Sequence, residues 1–226
     1  MFFVALTATA QTHPQDQSSS SSAKHSRSSS GRLVPDVGAG TVVNGVYRNR
    51  ALGLNCKIPA GWVLRTEEMN AREEDEASSE PDKNPHFSQN QGEVGHPMYQ
   101  DQGGKVLLAA FSRPPDAKGE DVNGSIVIAV EKVETYPGLK EAAQYFGPLT
   151  EVSKAQGFTV DEDPYEMEIG TKVVVRGDFH KDVGTRVMRQ STLAFLAQGY
   201  AVSITLIGGT EDEVEDLVDG IGFVGK

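Results

Sequence analysis

The 226-residue chain has one cysteine, few positive charges and no long apolar run, and each shortage closes a route. A lone thiol, Cys56, cannot form an internal disulfide, so the chain is not stapled in the manner of many small exported domains and must be held by a core. Twenty-one Lys and Arg against 32 Asp and Glu leave a formal charge of −11, the wrong sign for gripping a phosphate backbone. No nucleic acid is expected as a partner. An acidic surface suits basic or cationic partners, and equally serves as a well-solvated surface with no partner at all. No stretch approaches the ~18 to 20 apolar residues of a membrane-spanning helix, so no integral membrane segment is expected.

Chemical motifs are also scarce. The histidines His13, His25, His86, His96 and His180 show no H-x-x-x-H spacing, and one cysteine excludes C-x-x-C, so no metal site is expected. A loose site from His86 and His96 competes with two solvated histidines. Asp161-Glu162-Asp163 lacks the spaced ligands and central glycine of an EF-hand and reads as a solvated acidic turn. There is no G-x-S-x-G elbow and no P-loop, and Gly38-Ala39-Gly40 has no third glycine for a dinucleotide fingerprint. No cofactor is expected.

What is present divides the chain into three parts. Phe2 to Ala10 (FFVALTATA) is a short apolar run ending in an A-x-A site before Gln11, without a basic n-region. It reads as a signal peptide truncated at its start, which implies export to the periplasm or beyond, against the alternative of an ordinary N-terminus with a few apolar residues. No cysteine follows the run, which disfavours a lipoprotein. Residues 11–40 are rich in Ser, Gly and Pro and too poor in large apolar groups to order themselves, as expected of a disordered tether. Residues 41–226 carry the patterns of one folded domain.

In that domain Thr41 to Asn49 and Ala51 to Ile58 read as two strands, closed by the Pro59-Ala60-Gly61-Trp62 turn, with Trp62 packing under the sheet edge. Leu52, Leu54, Cys56 and Ile58 alternate with period two, which makes Cys56 a buried structural thiol. Arg65 to Ser79 reads as a helix with one solvated face, followed by a polar loop over residues 80–104. Lys105 to Arg113 and Ser125 to Glu134 are apolar on both faces, as in strands covered on two sides. A helix is expected from near Pro137, divided at Gly147-Pro148. Phe158 to Val160, extending towards Glu168, then Thr171 to His180, Arg186 to Leu196 and Tyr200 to Ile207 form a meander. Thr210 and Glu213 make a capping box, and Val214, Leu217, Val218 and Ile221 an apolar helical stripe, with Phe223-Val224 tucked in after it.

Tyr47-Arg48-Asn49 to Ile58-Pro59-Ala60-Gly61-Trp62 resembles the opening hairpin and turn of the Mog1/PsbP-like superfamily, in particular its small exported bacterial members. Gly199 to Thr205 followed by Gly208 to Glu213 is similar to that superfamily's last long strand and closing helix. The resemblance covers residue 41 to the end and implies an α+β fold, an α/β/α sandwich whose central, mainly antiparallel sheet is flanked by helices. It also implies a non-enzymatic binding or assembly role, because its members include a Ran-binding import factor, an extrinsic photosystem II subunit, envelope proteins and effector chaperones.

The expected function is thus an exported, non-enzymatic binding or assembly domain of the bacterial cell envelope with a protein partner. The sequence leaves its oligomeric state open. Its recognition surface is expected on the 80–104 loop, where His86, Phe87, His96, Met98 and Tyr99 stand among polar residues. A small-molecule or lipid carrier with an apolar pocket between sheet and helix is one alternative. An enzyme assembled from scattered residues, such as Ser191 or Ser203 with His180, is another.

Overall fold

Tight turns set the strand order in the computed structural model, which describes residues 36–71, 104–114, 116–117, 119 and 121–224. Strands β1 (Thr41–Val43), β2 (Val46–Asn49) and β3 (Leu54–Lys57) open the fold, and β4 (Val63–Leu64) leads into helix α1, described over residues 66–71. Central strands β5 (Lys105–Phe111) and β6 (Ser125–Lys132) precede a short 3-10 turn (Val133–Thr135) and helix α2 (Ala142–Ala155). Strands β7 (Thr159–Val160), β8 (Tyr165–Ile169), β9 (Lys172–Val183), β10 (Arg186–Ala197) and β11 (Tyr200–Gly208) follow, and helix α3 (Glu211–Asp219) and β12 (Ile221–Phe223) close the chain. All pairings are antiparallel. They form a four-stranded sheet, β1-β2-β3-β12, and an eight-stranded sheet, β4-β5-β6-β11-β10-β9-β7, with β8 also paired to β9. The described residues are therefore mainly antiparallel sheet with few helices.

The pleat decides what each face of the large sheet buries. Ile126, Ile128, Val202 and Ile204 point to one side, into a core shared with Leu54 and Cys56 of the small sheet and with Val214, Leu217 and Val218 of α3. Val175, Phe179, Ala194 and Ala201 point to the other, against Tyr145, Phe146 and Leu149 of α2. Met69 of α1 covers Val106, Ala109 and Val127 on β5 and β6. Between sheet and α2, Tyr145 and Phe146 are 1% and 3% exposed, while an open cleft of ≈ 790 Å³ remains where α2 meets β7, lined by Phe146, Lys154, Phe158 and Val160.

Several elements differ from the sequence expectation for identifiable reasons. Asn44 and Gly45, with φ of +52° and +72°, make a two-residue turn that splits the expected single strand Thr41 to Asn49 into β1 and β2. Packing also begins before residue 41, because Val37 is buried and its carbonyl accepts from Asn49 Nδ2 at 3.1 Å. Helix α2 starts at Ala142 rather than near Pro137, with Gln144 Oε1 accepting from the amides of Lys140 and Glu141 at 2.8 and 3.2 Å. It passes through Pro148 undivided. Burial of Tyr145, Phe146 and Leu149, worth about 1.5 to 3 kcal/mol each, outweighs the ~3 kcal/mol a proline costs inside a helix. Close docking requires Gly177 in β9, where an added Cβ would lie 2.5 Å from Phe146 Cε1.

The C-terminal half follows its local signals closely. Gln198 and Gly199, at φ +54° and +83°, join β10 to β11. Thr210 Oγ1 accepts from the Glu213 amide at 3.1 Å, and Glu213 Oε2 accepts in return from Gly209 N at 2.7 Å. Ile221 is buried, but as the first residue of β12 paired to Cys56 rather than the last of the helical stripe. Val224 is 63% exposed and does not tuck in.

Candidate functional site

His86, Phe87, His96, Met98 and Tyr99 all lie outside the described residues, as does most of the 80–104 loop that carries them. The scattered residues considered for nucleophilic chemistry are described: Ser203 faces away from His180, and Ser191 shares the face of His180 without a hydrogen bond to it. Ser191 is 0% exposed, its Oγ buried without a hydrogen-bond partner, and it stands opposite Asp178 in the β9–β10 register. Ser203 is 1% exposed and points to the α2 side, whereas His180 points to the α3 side and pairs through Nδ1 with Asp161. Cys56 is fully buried, and burial pushes its thiol up to about 12, far from a thiolate. Among the described residues no group of three or more His, Cys, Asp or Glu side chains is placed to hold a metal ion.

Charged groups converge instead where β8, β9 and β10 meet α3, around a cleft of ≈ 300 Å³. Its floor is Arg176, on the α3 face of β9 and only 8% exposed. The Arg176 Nε donates to both oxygens of Asp178 at 2.9 and 3.0 Å, and its two terminal nitrogens donate to Glu215 of α3, Nη1 at 3.1 Å. The Tyr165 hydroxyl donates to Asp178 Oδ2 at 3.3 Å. Burial works to lower the Arg176 pKa, but the hydrogen bond to Glu215 and the charge of Asp178 together outweigh it and hold the guanidinium raised. The hydrogen bond from Arg176 lowers Glu215. Burial, opposed by Arg176 and reinforced by Asp178, raises Tyr165.

Arg176 is thus neutralised on the spot. The remaining charges on the walls are Asp161, Glu162 and Glu211 against Arg189, so the cleft is acidic overall. The first two turns of α3 bring Glu211 and Glu215 here, and the Thr210 cap fixes where the helix starts.

Beside this cleft, among the described residues, the large sheet ends in an edge. Strand β7 pairs with β9 only at Phe179 and His180; the chain then steps out through Asp161 to Pro164 and returns as β8, paired to β9 from Arg176 to Lys172. No other strand pairs with β8 among the described residues. Gly170, at φ +62°, opens a two-residue turn that makes Ile169 and Lys172 a hydrogen-bonded pair. Alternation then assigns the backbone groups of Tyr165, Met167 and Ile169 to β9, and aims those of Glu166 and Glu168 outward.

A second cluster lies across the sheet. Glu131 of β6 is 3% exposed under α2, where Oε2 accepts from the hydroxyls of Tyr136 and Tyr145, the latter at 2.9 Å. Burial raises its pKa, and the two hydroxyls only partly oppose this. The Tyr136 and Tyr145 rings beside it form an edge-to-face pair with centroids 5.3 Å apart.

Sequence reasoning found the acidic rim, as Asp161-Glu162-Asp163, and the acidic start of α3, but not that they meet. Arg176 left no signal, because an arginine within a strand reads as a solvated residue until its neighbours are known. The alternation of Glu166 and Glu168 with Met167 and Ile169 was visible and would have marked a one-sided strand.

No family model and no curated protein matches the sequence. Among solved structures, the chain is similar to a Pseudomonas aeruginosa protein of unknown function, at 18% identity over 52% of this chain and 76% of that one, with a TM-score of 0.33. It is similar to a Bacteroides thetaiotaomicron protein at 10% identity and a TM-score of 0.36, over 76% of this chain and 46% of that chain's length. It is also similar to LpqN of Mycobacterium tuberculosis, a protein involved in cell envelope biogenesis, at 12% identity over 76% of this chain and 83% of that one, with a TM-score of 0.35. Likeness at this level carries no argument about what the protein does.

Proposed function

We propose that this protein is a non-enzymatic binding domain that engages a protein partner along the β8 end of its large sheet. The observation that carries this reading is the edge left unpaired among the described residues: a five-residue strand with outward backbone groups at Glu166 and Glu168, next to a charged cleft whose buried cation is already neutralised. An unpaired edge is a ready acceptor for another strand. The burial of Ser191, Ser203 and Cys56 supports a non-enzymatic role, since none of these groups can reach a substrate. The cleft of ≈ 790 Å³ where α2 meets β7 is open to solvent and edged by Glu151, Lys154 and Asp163, unlike the enclosed apolar pocket a carrier needs.

Two further parts of the reading rest on the sequence. The A-x-A site at Ala8 to Ala10 favours export, and with it action in the bacterial cell envelope. The Tyr47 to Trp62 segment and the closing strand and helix favour an α/β/α sandwich of the Mog1/PsbP-like kind. N-terminal sequencing of the natural product tests export: a start at or near Gln11 supports it, and an intact Met1 in the cytoplasm refutes it.

The binding role is tested by placing a photo-crosslinking residue at position 166 and, separately, at exposed position 140 on the loop before α2, in the organism of origin. A protein adduct at 166 and none at 140 is the expected result. The same pattern at both positions, or no adduct at 166, removes β8 as the binding site.

A further inference from the structure

We infer that the β8 edge takes an extended segment of a partner protein that carries two basic residues flanking an apolar one and adds to the sheet as a further strand. The inference rests on the binding role of β8 and names the chemistry of what binds there.

The register supplies the pattern. Glu166 and Glu168 offer their amides and carbonyls outward, and both side chains are exposed on the same face, alongside exposed Val173 of β9. Residues of an added strand opposite these two glutamates stand on that face, two positions apart, where Lys or Arg makes cross-strand ion pairs. The residue between them falls opposite Met167, on the side where Met167 and Ile169 pack against the core, and an apolar side chain suits it. Continued past Tyr165, the segment runs towards Asp161 and Glu162 at the acidic cleft. Backbone pairing provides attachment, and the alternating carboxylates select for positive charge.

The same alternation disfavours a second copy of this chain as the occupant. Two β8 strands paired antiparallel about a two-fold axis at Glu166, Met167 or Glu168 place Glu166 against Glu166, Glu166 against Glu168, or Glu168 against Glu168, respectively. Each register sets like charges directly opposite one another, which is destabilising. The edge is thus protected from self-pairing by the groups that make it attractive to a basic strand.

The test uses the full chain and three synthetic peptides of equal length, alternating Val or Thr with Lys, with Gln or with Glu, followed by fluorescence anisotropy. The Lys peptide should bind, and the Gln peptide about two- to thirtyfold more weakly, the effect of two cross-strand charge pairs, with the Glu peptide weaker still. The double variant E166K/E168K should invert the order and prefer the Glu peptide. Glu168→Pro deletes an outward amide while leaving the β9 bonds in place, and should weaken all binding with an unchanged thermal midpoint. If Lys and Gln peptides bind equally and Glu168→Pro still weakens both, the edge binds strands but charge does not select them, and this inference fails while the binding role stands. If no peptide binds and hydrogen exchange at residues 165–169 is unaffected by any of them, both fail. A concentration-dependent dimer in sedimentation that Glu168→Pro abolishes would overturn the inference in favour of a second copy.

Discussion

Glu131 and Arg176 lie on opposite faces of the same sheet, at 3% and 8% exposure, and the protein satisfies them in opposite ways. Glu131 sits under α2 with two neutral hydroxyls, from Tyr136 and Tyr145. Burial therefore dominates and raises its pKa. Arg176 sits under α3 between the carboxylates of Asp178 and Glu215, and there pairing dominates. The difference teaches where each face can interact. A carboxyl whose proton is favoured by burial belongs to the face covered by α2, whereas an ion-pair network reaching the surface through Glu215 belongs to one that meets solvent.

Breaking the Arg176 side should have the largest effect. Arg176→Met leaves Asp178 and Glu215 facing each other without a cation, and should cost about 2 to 4 kcal/mol by chemical denaturation, below the range for fully buried pairs because Glu215 is half-exposed. A loss under about 1 kcal/mol would mean the network is too well solvated to matter. Tyr145→Phe removes one of the donors to Glu131 and should cost about 1 to 2 kcal/mol near neutral pH. That loss should shrink under acidic conditions, where a protonated Glu131 needs fewer donors.

The pH dependence separates the two faces more sharply, because their acids have opposite signs. Glu131 has a raised pKa when folded, so folding takes up a proton as the pH climbs past its unfolded value of ~4.3. Its contribution to stability is full below that value and is lost as the pH rises through the folded one. Glu131→Gln should remove this decline. Glu215 is lowered, so its contribution is present above the unfolded value and is lost as the pH falls through the folded one. Glu215→Gln should therefore weaken the protein at neutral pH and converge with the wild type in acid. Thermal midpoints of both variants across pH 3 to 8 check this, and two parallel curves would show that the faces do not differ as argued.

The smallest effect is expected from Thr210→Ala, about 1 kcal/mol for the lost cap on α3. It sharpens the contrast by loosening the helix that carries Glu215 without touching Glu131. Raised hydrogen exchange should appear around α3 and β9, and none around α2.

Local chemistry made much of this fold legible. The two-sided apolar runs of β5 and β6, the Gln198-Gly199 turn and the Thr210 cap are written in consecutive residues, and the structure follows them. The Asn44-Gly45 turn is equally local, yet it falls inside the stretch Thr41 to Asn49 that reads as one strand. Pro148 misleads for a different reason: a proline's cost is local, but the burial of Tyr145 and Phe146 that offsets it depends on β9 and on Gly177. Of the candidate site, Asp161-Glu162-Asp163 was read as a solvated turn, and Asp161 to Asp163 are indeed exposed. Its link to His180 needed β7 and β9 to pair.

By itself the sequence determined the acidic charge, the mainly antiparallel strands, the buried state of Cys56 and the start of the last helix, because each depends on composition or on neighbours within a turn or a pleat. Only the tertiary structure decided that Arg176 meets Glu215 across 39 positions, that Glu131 is enclosed by tyrosines, and that β8 is an edge. The physical reason is one of range. Periodicity tells which face of a strand is apolar, but which strand lies beside it, and whether any does, is settled by packing between segments distant in the chain.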